Sequence, residues 1–519
     1  MKTPLSKRHS TQLASSFWSV FSLLFLLGLA SLHAGPDETA QQIDRIINRA
    51  YRATNAKPAP LTNDATFLRR VYFDLTGTLP TLQETRTFLS NKSSDKRSAL
   101  VERLLSSENH VDYWTLKWCD LLRVKSEYPI NLWPNGVQAY HRFIRQSIAT
   151  NKPYDLFAHE LLTSSGSNYR VPAVNFYRAV QEPTAHSISA ATALTFLGTR
   201  IENWDTEKQN QFAEFFSKVA FKRTAEWKEE IVYFDTRSPE EVKTRFPDGT
   251  AITIEAHTDP RQIFADWLID DTNPFFARVA VNRIWYWLMG SGIVSPADDF
   301  GPHNPAQNSQ LLAQLEQAFI LSGYDQRALI ASIVSSKTYQ RSIPKKPQLS
   351  YAEYNLRPLE AEVLVDALNQ LTNSSERYSS PIPEPFTFIP EANRSIALAD
   401  GSITSQFLET FGRPSRDTGR LDERNQIPND AQRLSLLNSS EIQGQISNSP
   451  LFRQIGKPLR KNPSKVVQAT YLAVLSRYPN KAELDTALRY INQAGKQSRH
   501  AALDVAWALI NSKEFLYKH

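Results

Sequence analysis

Apolar residues recur at intervals of three and four over most of this 519-residue chain, the spacing of one face of an α-helix. Ile43, Ile46, Ile47 and Tyr51 mark the first such face. Asn63 and Asp64 then stand where an N-cap belongs, ahead of Phe67, Val71 and Leu75, and Gly77, Leu79 and Pro80 predict the end of that helix. Thr81 with Glu84 three residues on predicts a capping box for the next one. The same punctuation recurs at Ser93 to Asp95 before the apolar face of residues 99–105, and at Asn151 to Tyr154 before that of residues 156–162.

The period changes between Glu226 and His257. There Ile231 and Tyr233, then Ile252 and Ile254, alternate with polar residues around the turn signature Pro247-Asp248-Gly249, which predicts a short β-hairpin or small sheet. The fold class expected is therefore mainly α: two helical domains, residues 38–225 and 261–519, joined by a β-containing connector at 226–260. Residues 374–403, rich in Pro, Ser and Asn, are expected to form a long surface loop. One phrase occurs three times, at residues 104–107, 333–336 and 509–512, each soon followed by an aromatic residue, Tyr113, Tyr339 or Phe515. A shared helix-ending device explains it better than duplication, since no fixed repeat period emerges.

Residues 1–34 read as a signal peptide: Lys2, Lys7 and Arg8 supply the charged start, and Phe17 to Ala30 the apolar run. Cleavage is expected after Ala34, with Ala30 as the alternative. No later segment has the apolar length to span a bilayer. The leader also accounts for half of the net charge of +6, because it holds three of the 59 basic residues and no acid, leaving 56 against 53. That near-balance gives no reason to expect nucleic acid as a partner. The expected location is outside the cytoplasm, secreted or in the periplasm or cell envelope.

A single cysteine, Cys119, excludes an intramolecular disulfide, a Cys-rich zinc site and haem attached through Cys-x-x-Cys-His. Next to Trp118 it reads as a buried small hydrophobe. The densest candidate segment is Asn273 to Gly290, capped by Asn273 with Pro274 and stopped by Gly290. It is apolar nearly all round, broken by Arg278, Asn282 and Arg283. A buried Arg283 needs a carboxylate or several carbonyls, or else an anionic ligand. Asp298, Asp299 and His303 follow in a loop rich in Gly and Pro. They suit turn chemistry first, and acid–base or metal-ligating work second; no metal site is expected.

In the first half, Trp114, Trp118, Leu121 and Leu122 form a core stripe, while Asp120 can pair with Arg123 or Lys117 at helical spacing. Asp74 can meet Arg70 or an arginine from elsewhere. Arg413, Arg416, Asp417, Asp422 and Arg424 alternate in sign, which reads as a solvated network, with an anion- or sugar-binding face as the alternative. No Gly-x-Ser-x-Gly elbow, phosphate-cradling loop, dinucleotide fingerprint or His-Glu-x-x-His is present.

Several segments in order resemble the secreted planctomycete-type proteins built from two linked domains of unknown function, the first described as cytochrome-associated. Residues 70–77, 114–123 and 152–155 are similar to the first domain. Residues 273–301, 357–362, 411–418, 436–438, 475–479 and 511–515 are similar to the second. Many relatives place Cys-x-x-Cys-His after the phrase that reads Thr195 to Gly198 here; this chain continues Thr199 to Trp204, without the thiols or the histidine. No covalent haem and no other cofactor is therefore expected. The resemblance implies an envelope partner such as a sulfatase-like enzyme, and carbohydrate. The expected function is a helical scaffold or binding protein linked to polysaccharide handling, with Arg283, Asn282, Arg413, Arg416 and Asp74 as ligand-binding candidates. The alternative is a polysaccharide hydrolase acting through Asp298, Asp299 and His303.

Overall fold

A computed structural model describes residues 35–237 and 240–519; the expected leader lies outside the described residues. The architecture is mainly α, with a few short antiparallel strands. Two of the expected N-caps act as predicted, while Asp95 and Pro153 stand at the N-cap positions of helices Lys96–Leu105 and Tyr154–Thr163 without a side-chain cap bond. Asn63 accepts from Thr66 N at the start of helix Asp64–Thr76, and Thr81 and Glu84 complete a capping box on helix Leu82–Ser90. The helix foreseen from Asn273 runs Phe276–Met289; Asn273 caps it from two residues outside the N-cap position of Phe275, its Oδ1 accepting from Phe275 N and Phe276 N.

The thrice-repeated phrase proves to be one device. Ser107, Ser336 and Ser512 each donate a hydroxyl to the carbonyl three residues back, at 2.6 Å. Each accepts from the N–H three residues on, at 3.2 Å. One side chain thus closes one helix and opens the next at Ser107 and Ser512, and a turn at Ser336. The residue it aims inward is His110, Tyr339 or Phe515, all buried.

The β element is two pieces. Val219–Arg223 and Gly166–Ser167 flank Glu230–Phe234 in a three-stranded antiparallel sheet, while Val242–Arg245 and Ala251–Ile254 form a separate hairpin. Ile231 and Tyr233 therefore share no sheet with Ile252 and Ile254. Both outer strands, Gly166–Ser167 and Val219–Arg223, precede the connector expected from the sequence and come from the helical first half.

The apolar core runs through both halves without a break, from Ile43 to Phe515. The first helix, Pro36–Ala53, packs on Gln326–Ser335 and Ser309–Leu321 of the second half. Helix Pro463–Leu475 packs on Leu82–Ser90 of the first. Residues 374–403 are only in part the surface loop expected: Ser395, Ile396, Leu398, Asp400 and Ile403 are buried. The Asp366 carboxylate accepts from Ser395 N and Ile396 N, which anchors that stretch against helix Ala361–Thr372. A final pair of two-residue strands, Arg357–Pro358 and Tyr517–Lys518, sets Arg357 opposite Lys518.

Two tests follow from the joint between helices Asp64–Thr76 and Glu108–Leu121. Gly77 sits at φ +61°, and an added Cβ would lie 2.6 Å from Tyr113 Cδ2. Gly77→Ala is expected to lower stability by about 2 kcal/mol in urea unfolding, from the left-handed backbone and the ring displacement together. Beside it, His110 Nδ1 meets Leu75 O at 2.9 Å, and burial pushes the ring down to about 4 from 6.5, with Arg327 adding to the shift. The unfolded chain therefore takes up this proton first, so stability is lost as pH falls from 6.5 towards 4. Between pH 7 and pH 5 the loss from His110 is about 2 kcal/mol, and His110→Gln should flatten the pH dependence by that amount.

Candidate functional site

Four acids converge where the two halves meet. Asp74 lies on helix Asp64–Thr76 and Asp120 on helix Glu108–Leu121, while Glu360 and Glu362 stand at the start of helix Ala361–Thr372. On Glu108–Leu121, Tyr113, Lys117 and Asp120 fall at spacings of four and three, which puts them on one face. Every acid meets cations, most of them from the other half. Asp74 binds Arg357 at 3.1 Å and Lys518 at 3.4 Å, and accepts from Tyr339 and Tyr354 hydroxyls at 2.8 and 2.9 Å. Glu360 binds Lys117 at 3.0 Å and Lys518 at 3.6 Å, and accepts from the Tyr113 hydroxyl. Arg424 bridges Glu362 and Asp120, each at 2.6 Å, and Arg416 binds Asp120 at 2.8 Å. Arg413 lies 3.5 Å from Glu362.

The electrostatics follow from burial competing with these partners. Burial acts to raise the Glu360 carboxyl, but Lys117, Lys518 and Arg424 together hold it well below the carboxylate range. Burial likewise opposes the ionised Asp120, and Arg424 and Arg416 keep it ionised. Lys117 goes the other way. Burial pushes its ammonium down to about 8 against the pull of Glu360, and Lys518 and Arg424 push in the same direction as burial.

Two clefts open on this network and share Glu360, Arg424 and Gln426. The smaller, of about 50 Å³, is lined by Lys117, Asp120, Tyr286, Arg357, Arg420 and Arg424 among others. The larger, of about 400 Å³, has apolar walls from Leu359, Leu364, Phe411, Leu436, Leu516 and Tyr517. Amides of Asn425, Gln426, Gln432 and Asn511 and the cations of Arg433 and Lys513 surround them.

The sequence candidates divide. Asp74 joins the network through Arg357 and Lys518, not Arg70. Arg70 instead donates to His519 O and Arg341 O, at 3.1 and 2.9 Å. Asp120 pairs with Arg416 and Arg424, not with Arg123 or Lys117, whose side chains turn to Ala179 O and to Glu360. Arg413 and Arg416 belong to no solvated face: their side chains are 3% and 0% exposed, beneath the cleft rather than lining it. Arg283 takes carbonyls, Thr195 O at 2.8 Å and Leu194 O at 3.0 Å, and Asn282 ties its own helix to Val294.

Asp299 and His303 meet at 3.2 Å on an exposed turn, but Asp298 is buried away from them against Arg200 and Leu421 N. None of the three lines either cleft. Cys119 is buried and free, its thiol pushed by burial up to about 12. Sequence reasoning did not single out Glu360, Glu362, Arg357, Lys518, Tyr286 or Gln426. A signal was present at residues 357–362, where an arginine and two acids enter a stretch that is otherwise apolar.

Residues 42–228 match the family model PSCyt2, protein of unknown function (DUF1549), and residues 260–491 match PSD1, protein of unknown function (DUF1553). The network and both clefts thus lie in a helical protein of the class that joins these two modules. The chain belongs to that planctomycete-type pair of families. No curated protein and no solved structure matches it.

Removing one member of the network strands its partners in the interior, which costs about 3–5 kcal/mol for a buried pair. Arg424→Met is expected to lose stability on that scale in urea unfolding, since Glu362 is 0% exposed. Arg433→Met, at an exposed pair with Asp430, should leave the midpoint unmoved.

Proposed function

We propose that this protein is an exported, non-catalytic binding protein of the cell envelope, and that its ligand is a polysaccharide carrying acidic groups. The observation that carries the reading is the 400 Å³ cleft. Its volume lies in the range of ligand sites, and its lining combines ring faces with convergent polar groups. Phe411 and Tyr517 offer flat apolar surface, which suits the C–H faces of sugar rings. Gln426, Lys513 and the Tyr517 hydroxyl make no side-chain hydrogen bond to another described residue, so their donors are open to a ligand. Arg424, Arg433 and Lys513 stand against one lining acid, Glu360, which favours an anionic chain over a neutral one.

The hydrolase alternative has less support. Paired carboxylates divide acid and base work when they face one reacting bond. Asp298 is instead neutralised by Arg200 in the interior, and Asp299 is turned to His303 and Asn203 on the surface.

Calorimetric titration of the purified chain with a uronate polymer and with a neutral glucan tests the reading. The uronate polymer is expected to bind. The Lys513→Ala, Tyr517→Phe double variant should bind it at least about fivefold more weakly, the loss of one or two hydrogen bonds to charged groups. The Asp298→Asn, Asp299→Asn variant should match the wild type in binding, with no reducing ends released by either protein. Absence of binding to both polymers, or release of reducing ends abolished in that variant, would sink the proposal.

A further inference from the structure

The smaller cleft has a chemistry of its own. Its charged lining is Lys117, Arg357, Arg420 and Arg424 against Asp120 and Glu360, an excess of two cations. Asp120 is already shared between Arg416 and Arg424, and Glu360 between Lys117 and Lys518, so neither acid has charge to spare. Arg420 alone reaches outward, to Glu202 on the surface.

Three donors in the lining are left over. Lys117 has three N–H bonds and one acceptor, Glu360 Oε1; the Tyr113 and Trp287 rings, 4.4 and 5.8 Å from its Nζ, cover part of the rest. The Tyr286 hydroxyl and the Gln426 amide make no hydrogen bond with another described residue. A buried ammonium with N–H bonds to spare, next to further cations, gains from a negative group that completes its shell. The size of the space says what that is. One water needs about 10–15 Å³ of such volume, so 50 Å³ takes roughly four oxygen atoms and is too small for a sugar ring.

We propose that this cleft is a seat for one small tetrahedral oxyanion, sulfate or phosphate, held by Lys117, Tyr286 and Gln426 in the field of Arg357 and Arg424. Because Gln426 and Arg424 also line the larger cleft, the same seat takes the oxyanion either as a free ion or as an ester group on a bound chain. The groups facing Lys117 are Glu360, Asp120, Tyr113, Lys518, Arg424 and Arg357. Burial first, then Lys518 and Arg424, lower its pKa to about 8 against the pull of Glu360, and a bound oxyanion acts in the opposite direction. Binding above pH 8 therefore draws a proton onto Lys117, and affinity falls as pH rises through that value.

The test is titration of the whole chain with sodium sulfate against sodium chloride at equal ionic strength, at pH 7 and pH 9.5. Sulfate keeps its charge over that interval, so any change belongs to the protein. Sulfate is expected to bind saturably at pH 7 where chloride does not, and at least about fivefold more weakly at pH 9.5. Tyr286→Phe and Gln426→Ala each remove a partly exposed donor without stranding a charge, and should each weaken sulfate binding about threefold to tenfold. Lys117→Met should abolish it, and if that variant fails to fold, the other two still decide. Inorganic phosphate and a sulfated polymer form the remaining arms: polymer binding lost in Tyr286→Phe identifies an ester group, and polymer binding retained identifies a free ion.

Equal response to sulfate and chloride overturns the proposal, as does sulfate binding indifferent to both Tyr286→Phe and Gln426→Ala. Affinity unchanged at pH 9.5 removes Lys117 from the seat. Tyr286 lines only this cleft, and Lys513 and Tyr517 only the larger one, so failure here and failure of the polysaccharide reading are separate results.

Discussion

Three carboxylates with almost no access to water, Asp74, Glu360 and Glu362, and a fourth that is one-fifth exposed, Asp120, find most of their counter-charges only when the two halves of the chain are docked. Asp74 and Asp120 come from the first half, and their cations Arg357, Lys518, Arg416 and Arg424 from the second. Glu360 takes Lys117 in the opposite direction. A buried pair gains little over apolar side chains of the same shape, yet loses several kcal/mol when one member is misplaced. The network therefore contributes selectivity more than stability. Apolar packing of Pro36–Ala53 and Pro463–Leu475 across the seam tolerates small slides, whereas the contacts of Arg416 and Arg424 with Asp120 across it do not. Arg69 and Arg70 act in the same sense through carbonyls, holding Val474, Phe515 and His519 in place.

The same network shapes what the surface can recognise. Arg424 sits between the two clefts with its guanidinium committed to Glu362 and Asp120, so it contributes field rather than a free donor. The free donors are Tyr286, Gln426, Lys513, the Tyr517 hydroxyl and the N–H bonds of Lys117 that Glu360 does not use. Under the proposed binding role, that division leaves ligand contact to the less committed groups and keeps the fixed charges in place. Preorganised charge of this kind costs no rearrangement at the moment of binding.

Elements were legible where sequence signals are local. The caps at Asn63 and Thr81, the stop at Gly290 and the mainly helical class follow from periodicity and from residues within one turn. The repeated phrase was read as a helix-ending device, and its serines do that work; only the reciprocal hydrogen bonds needed coordinates. The site was far less legible. Asp120 has suitable partners three residues away on each side, and a local rule selects Lys117 or Arg123. The actual partners, Arg416 and Arg424, lie in a loop almost 300 residues later, where alternating charge resembles a solvated surface. Burial, which decides between those readings, is set by tertiary packing. Residues 374–403 illustrate the same limit, because a composition of Pro, Ser and Asn does not reveal that Asp366 offers two hydrogen-bond acceptors to Ser395 and Ile396.

The loop with Asp298, Asp299 and His303 drew attention as chemistry and proves to be a clasp. Asp298 binds Arg200, Asp299 accepts from Asn203 at 3.0 Å, and Phe300 N donates to Gly198 O at 2.8 Å. All three partners lie within residues 198–203. Arg283 holds the end of the preceding helical turn through Thr195 O and Leu194 O. Such a segment needs a source of order, since its backbone entropy costs about 1–2 kcal/mol per residue. Here charge-assisted contacts from the opposite half supply it, and the candidate catalytic acids are spent in doing so. That assignment bears on the hydrolase alternative alone, because it accounts for the two acids, Asp298 and Asp299, that the alternative would use.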